Sequence, residues 1–238
     1  MNIGAEYEHD WRDLMLQLRG PVVRNFDEVF REDWGFACDE VLDEIPGEFV
    51  ANAKGLHGLC TVIASGPDRS SNRVHDGFFL SICGAQQRLW LTTPYFIPSS
   101  SIATALRGAA QRGVDVRLLL PCRPSFDLLG LAARAHLPEL MHDGVRVFEY
   151  EPRFLHTKSL VIDDQTSFVG SANADSRSFR LNFELSCFIQ SQELNAALAQ
   201  CFEADLLQSR ELHLKNLTNQ SAWKTCLESA AQLLSPLL

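Results

Sequence analysis

An α/β fold, with a mixed sheet covered by helices, is what this 238-residue sequence predicts. Three observations carry that expectation. From residue 59 onward, short apolar runs alternate with longer amphipathic segments, the order that builds a sheet with crossover helices. Runs such as VDVRLLLP read as strands buried on both faces. Serine caps precede IATALRGAAQRG, and Gly144 stops the helical pattern of FDLLGLAARAHLPELMHDG.

The elements follow in order. LMLQLRG (14–20) alternates like a strand. Pro21 opens an amphipathic helix with Val22, Phe26, Val29 and Phe30 on one face. The acidic stretch from Gly35 to Gly58 reads as a surface connection. LCTVIAS (59–65) is a strand, GPDRSSN (66–72) a loop, 74–86 a helix and RLWLTTP (88–94) a strand. The helix of 97–113 and the strand of 114–121 come next. A helix over 126–144, the strand VRVFEY, the strand pair HTKSLVID and SFVG, the strand FELSCFIQ and a helix from Gln192 complete the pattern. The C-terminal SAWKTCLESAAQLLSPLL is amphipathic, and packing against the domain is its expected role.

Charge and composition exclude several classes. The net charge of −9 is concentrated in residues 1–50, with 13 acids against 4 bases, whereas residues 88–180 hold 11 bases against 9 acids. Broad nucleic-acid affinity needs a dominant positive field, so no nucleic-acid partner is expected, but a local anion site is permitted. No apolar run reaches the roughly 18 residues of a membrane span. The seven scattered cysteines lack C-x-x-C or zinc spacing and read as reduced thiols in a cytosolic setting. The six histidines other than His156 also lack ligand spacing, so no metal is expected.

The stretch FLHTKSLVIDDQTSFVGSAN (154–173) carries the chemistry. On a strand, His156 and Lys158 project to one side. Burying an imidazole and an ammonium needs a partner, and a phosphate fits. Lys158 supplies charge, Asn173 amide donors and Ser171 a hydroxyl, while Gly170 permits close backbone approach. His156 can act as nucleophile or as proton donor. Asp163 lies at odd spacing from both and takes a structural, orienting role. The bland alternative is a core histidine beside a snorkelling lysine on an edge strand.

His156, Lys158, Asp163, Gly170, Ser171 and Asn173 spell H-x-K-x4-D-x6-G-S-x-N, which resembles the HKD signature of the phospholipase D superfamily. TPYFIPSSSIATALRGAAQRGVDVRLLLP, VGSANADSRSFRLNFE and LLSPLL are similar to bacterial cardiolipin synthases, and nearly the whole chain is covered. The resemblance implies a phospholipase D-like mixed sheet sandwiched by helices. It also implies two HKD motifs meeting across a pseudo-two-fold axis, a phosphohistidine intermediate and no cofactor. His156, Lys158 and Asp163 match the catalytic signature, with His156 at the position that in two-motif relatives more often serves as acid and base. Lys158, Ser171 and Asn173 match phosphate-binding positions, and Glu184 matches the acid that orients the histidine through its far ring nitrogen. The implied reaction moves a phosphatidyl group between phosphatidylglycerol molecules. It places the protein peripherally on the cytoplasmic face of the bacterial inner membrane.

The opening MNIGAEY resembles the segment just after a first HKD signature, G-G-x-N-I-G-x-E-Y. Asn2 and Asp13 are 11 apart, as are Asn173 and Glu184, so Asn2 and Asp13 read as remnants of a first motif whose His and Lys would precede residue 1. The expected organisation is thus one complete lobe plus the tail of a first. Residues 1–34 are that tail, and 35–73 form the connection and first strand of the second lobe. Residues 74–210 are the second phospholipase D-like domain, with its motif region at 150–177, and 211–238 are a helical tail. On this reading the chain is the second half of a longer enzyme begun at an internal methionine. A homodimer, or pairing with a separate N-terminal half, would supply the second histidine. A dimeric phosphodiesterase or nuclease and an inactive fragment are the competing readings.

Overall fold

The computed structural model describes residues 11–44, 58–68, 72–122 and 127–218. Asn2, most of the acidic connection and the amphipathic C-terminal segment lie outside the described residues. The described residues begin with β1 (Trp11–Arg12) and α1 (Val23–Cys38), followed by β2 (Leu59–Ser65), α2 (Arg73–Gly84), β3 (Arg88–Thr92), β4 (Phe96–Ile97) and α3 (Ser100–Gln111). Then come β5 (Asp115–Pro121), α4 (Asp127–His142), β6 (Arg146–Tyr150), β7 (Phe154–Leu155), β8 (Ser159–Ile162) and β9 (Thr166–Gly170). β10 (Ala174–Asp175), α5 (Ser176–Arg180), β11 (Glu184–Gln190), α6 (Gln192–Leu206), β12 (Ser209–Glu211) and α7 (Leu214–Thr218) complete the described residues.

Among the described residues, eight strands form one mixed sheet in the order β12-β6-β5-β3-β8-β9-β11-β2. β3, β5 and β6 are parallel, joined by α3 and α4 as crossovers, and the remaining neighbours are antiparallel. Period-two alternation divides the core between the sheet's faces. Leu89, Leu91, Leu118, Leu120, Leu160, Ile162 and Phe168 pack with α2, α3 and α4. Their neighbours Trp90, Leu119, Val161 and Val169 pack with Leu198, Ala199 and Phe202 of α6. Helices cover both faces, as the doubly apolar runs require.

Helix ends follow local chemistry. Asn72, Ser99 and Ser191 accept the backbone N–H of His75, Ile102 and Leu194, capping α2, α3 and α6. The turn between β8 and β9 places Asp163 at φ 47°, a left-handed conformation that Asp tolerates better than most residues. Its carboxylate accepts the N–H of Gln86 (3.1 Å), Gln87 (2.7 Å) and Arg88 (3.1 Å). Asp163 therefore pins the start of β3 and takes no part in the site, although it belongs to the matched signature.

Three elements differ from the sequence expectation. LMLQLRG contains no strand: the short strand is Trp11–Arg12, which pairs in parallel with Phe154–Leu155. Only Ser159–Ile162 of HTKSLVID is strand, so His156 and Lys158 do not sit on it as expected. β7 lies in that small separate sheet and β8 in the large one, so residues 156–158 cross between them. The amphipathic helix runs on past Gly35 to Cys38 and buries no residue, with Phe30 57% and Phe36 75% exposed. Among the described residues its apolar face is only partly covered, with Val22, Phe26 and Val29 half-buried and Phe36 against the Phe183 ring.

Gly170 is required by sheet packing. A Cβ there would clash with Ser186 Oγ and lie 2.6 Å from the Leu185 carbonyl oxygen on β11. That oxygen is backbone and cannot yield cheaply. We expect Gly170→Ala to cost about 1–3 kcal/mol. Thermal unfolding should show a Tm lower by several degrees, and an unchanged Tm would show that β11 can retreat from β9.

Candidate active site

β1 delivers a carboxylate to the matched histidine. The parallel β1–β7 register sets Trp11 against Phe154 and Arg12 against Leu155. The His156 N–H donates to the Arg12 carbonyl at 2.8 Å, and Thr157 Oγ1 donates to the same oxygen at 3.2 Å. One residue beyond Arg12, Asp13 Oδ2 lies 2.9 Å from His156 Nδ1. The Trp11 ring lies 4.5 Å from the imidazole by centroids and 5.2 Å from Phe154, fixing the ring's plane.

Burial works to raise the Asp13 carboxyl. The His156 hydrogen bond, the Leu14 N–H and the nearby His156 and Lys158 charges outweigh it and hold Asp13 below the ordinary carboxylate range. Asp13 is therefore ionised at neutral pH and can only accept, so His156 Nδ1 carries a proton. Nε2 makes no hydrogen bond among the described residues.

β1 is itself anchored. Arg12 Nε donates to Asp205 Oδ1 at 2.9 Å, and Asp205 is 6% exposed on α6. The sequence alone does not single out Arg12 and Trp11. The signal available was their position directly before Asp13.

Lys158 Nζ donates to the His156 carbonyl at 2.6 Å, leaving two N–H donors for an anion. Burial depresses its pKa to about 8, against the upward pull of Asp13, Glu184 and Asp175. Burial raises the Asp175 carboxyl, and the nearby Asn173 side chain draws it down. Asn173 Oδ1 is buried with no hydrogen-bond partner, a cost a ligand hydroxyl would remove.

The remaining matched residues divide. Ser171 Oγ accepts the Leu185 N–H at 2.9 Å and ties β9 to β11. Gly170, expected to admit a phosphate, serves the approach of β11 instead. The expected contact of Glu184 with His156 is replaced by that of Asp13. Glu184 opens β11 opposite Ser65 and accepts from Asn182 Nδ2 at 3.0 Å, while the β1–β7 pair places Asp13 on the imidazole. Glu184 still faces the site closely enough to act on Lys158.

A mixed sheet sandwiched by helices, with His156 and Lys158 where the chain crosses between two sheets, defines a phospholipase D-like domain. Residues 80–206 match the family described as cardiolipin synthase, PLD-like domain, and the chain belongs to that family. Cardiolipin synthase 2 of Bacillus anthracis is 38% identical over all of this chain and 48% of its own length. The chain thus spans about half the length of the curated relatives it matches. Among solved structures, phosphatidylserine synthase of Haemophilus influenzae superposes with TM-score 0.62 at 15% identity, over 91% of this chain and 54% of that one. The phospholipase D family member Nuc of Salmonella typhimurium gives 0.56 at 22% identity, over 66% of this chain and 99% of that one. At such identities these two matches speak for the fold alone.

Proposed function

We propose that this chain provides one half of a phosphatidyltransferase site of cardiolipin-synthase type, moving a phosphatidyl group from one phosphatidylglycerol to the glycerol hydroxyl of another. The observation that carries it is the 2.9 Å contact between Asp13 and His156 Nδ1, which leaves Nε2 unengaged next to a desolvated lysine. Lys158 and Asn173 bind the donor phosphate. A second histidine bonds to phosphorus as the ester bond breaks, and His156 Nε2–H gives its proton to the departing glycerol oxygen. Nε2 then takes the proton of the incoming hydroxyl as that oxygen bonds to phosphorus and the phosphorus–nitrogen bond breaks.

Asp13 and Glu184 occupy equivalent places in the 11-residue spacing, so the role Asp13 plays for His156 falls to Glu184 for the second histidine. Residues 1–34 then belong to the first lobe and 74–210 to the second. The partner is a second copy or a separate N-terminal half. No described helix is long and apolar enough to cross a membrane, and exposed Met15, Phe36 and Leu181 suit peripheral contact at the cytoplasmic face of the inner membrane.

The test incubates the chain with phosphatidylglycerol vesicles, or separately with DNA, over a range of protein concentrations. Cardiolipin and free glycerol should appear together, with specific activity rising with concentration or on addition of an N-terminal half. DNA cleavage without lipid transfer would overturn the reading.

A further inference from the structure

The ribbon formed by β4 and β10 leads from Asn173 to an open groove of about 410 Å³, lined by Ile97, Pro98, Ser99, Ser100, Ser176, Arg180 and Leu181. Resting on the phosphatidyl-transfer reading above, we infer that this groove holds the phosphate of the acceptor lipid, so that the domain carries two phosphate subsites side by side.

Three of its polar side chains are unengaged. The Arg180 side chain makes no ion pair or hydrogen bond among the described residues, and neither do the hydroxyls of Ser100 and Ser176. Ser99, by contrast, is already committed: its Oγ lies 3.2 Å from His75 Nε2 and caps α3. A guanidinium with two free hydroxyls supplies charge and donors suited to a phosphate diester. The rim is apolar. Leu181 is 58% exposed, and Phe183 beside it is 45% exposed and lies 5.6 Å from Phe36 by ring centroids. Solvent-facing apolar side chains next to an anion groove fit a headgroup still attached to acyl chains rather than a free ion.

The groove lies close in sequence to the first subsite. Two phosphates bridged by one glycerol are separated by six bonds. Three backbone bonds span about 3.8 Å, so six reach roughly 7.5 Å. Ser176 is three residues beyond Asn173, at most about 11 Å along the chain. On this proposal a lipid phosphate in the groove presents its glycerol hydroxyl to a donor phosphate held by Lys158 and Asn173.

The experiment follows backbone amide chemical shifts of the full chain by NMR, with two probes: dihexanoyl phosphatidylglycerol below its micelle concentration, and inorganic phosphate. Saturable lipid shifts are expected at Ser100, Ser176 and Arg180, in His156→Asn as in the natural chain. Arg180→Gln, at an exposed side chain with no partner, should weaken them at least about tenfold, as loss of a charge-assisted hydrogen bond does. Inorganic phosphate should bind at least about tenfold more weakly than the lipid, because it lacks the apolar contacts. Lipid shifts confined to His156, Lys158 and Asn173 would overturn the groove while leaving the transferase reading intact. Shifts in neither place would overturn both. Equal binding of phosphate and lipid would reduce the groove to an adventitious anion site and overturn the inference.

Discussion

His156→Asn should lower phosphatidyl transfer by the assembled enzyme by a factor of about 10²–10⁴, the usual contribution of a positioned acid and base. The substitution keeps a polar side chain of similar reach but removes the titratable Nε2. Trp11 and Phe154 still enclose the position, so folding should be unaffected. Lipid binding should therefore persist while turnover is lost. That separation is checked by measuring lipid affinity and the single-turnover rate on the same sample. Turnover within a few-fold of the natural protein would remove His156 from the mechanism.

Lys158→Ala should cut kcat/KM by about 10²-fold or more, as the loss of a buried charge-assisted contact to phosphate does. The lysine is held in a place that disfavours its own charge, with its pKa lowered to about 8. An anionic phosphate repays that cost, and so binding depends on the protonated form. For the free enzyme, kcat/KM should fall as pH rises above about 8, approaching tenfold per unit. In the Lys158→Ala protein this limb should disappear. Stability responds in the opposite sense. Between about 8 and the ordinary lysine value of 10.5, the unfolded chain keeps a proton that the folded chain has lost, so this group makes stability rise with pH over that window. A fall in activity above pH 8 that tracked a fall in stability would point to another group.

Most of the sheet was legible because each strand is apolar at a period its burial demands. Trp90 and Leu91 go to opposite faces, and both faces are covered. The β1–β7 pair was not legible. Two residues on each side leave no periodic signal, and their pairing joins positions more than 140 apart. For the same reason HTKSLVID looked continuous: nothing local marks the crossing from one sheet to another at 156–158. The apolar face of α1 was legible as a pattern, but a pattern predicts burial only where something lies against it. The chemistry at His156 and Lys158 could be read from spacing and type. The identity of the orienting carboxylate could not. The sequence offers two acids in equivalent registers, Asp13 and Glu184, and only the pairing of Arg12 with Leu155 decides between them.

That choice is open to direct measurement without requiring turnover. Nitrogen-15 NMR of the His156 ring at neutral pH should show Nδ1 protonated and Nε2 as the free nitrogen in the neutral ring. Asp13→Asn should remove that preference, because the accepting carboxylate is gone. Glu184→Gln should leave the tautomer unchanged. A His156 ring that responds to Glu184→Gln and ignores Asp13→Asn would contradict the arrangement of the site on which this account rests.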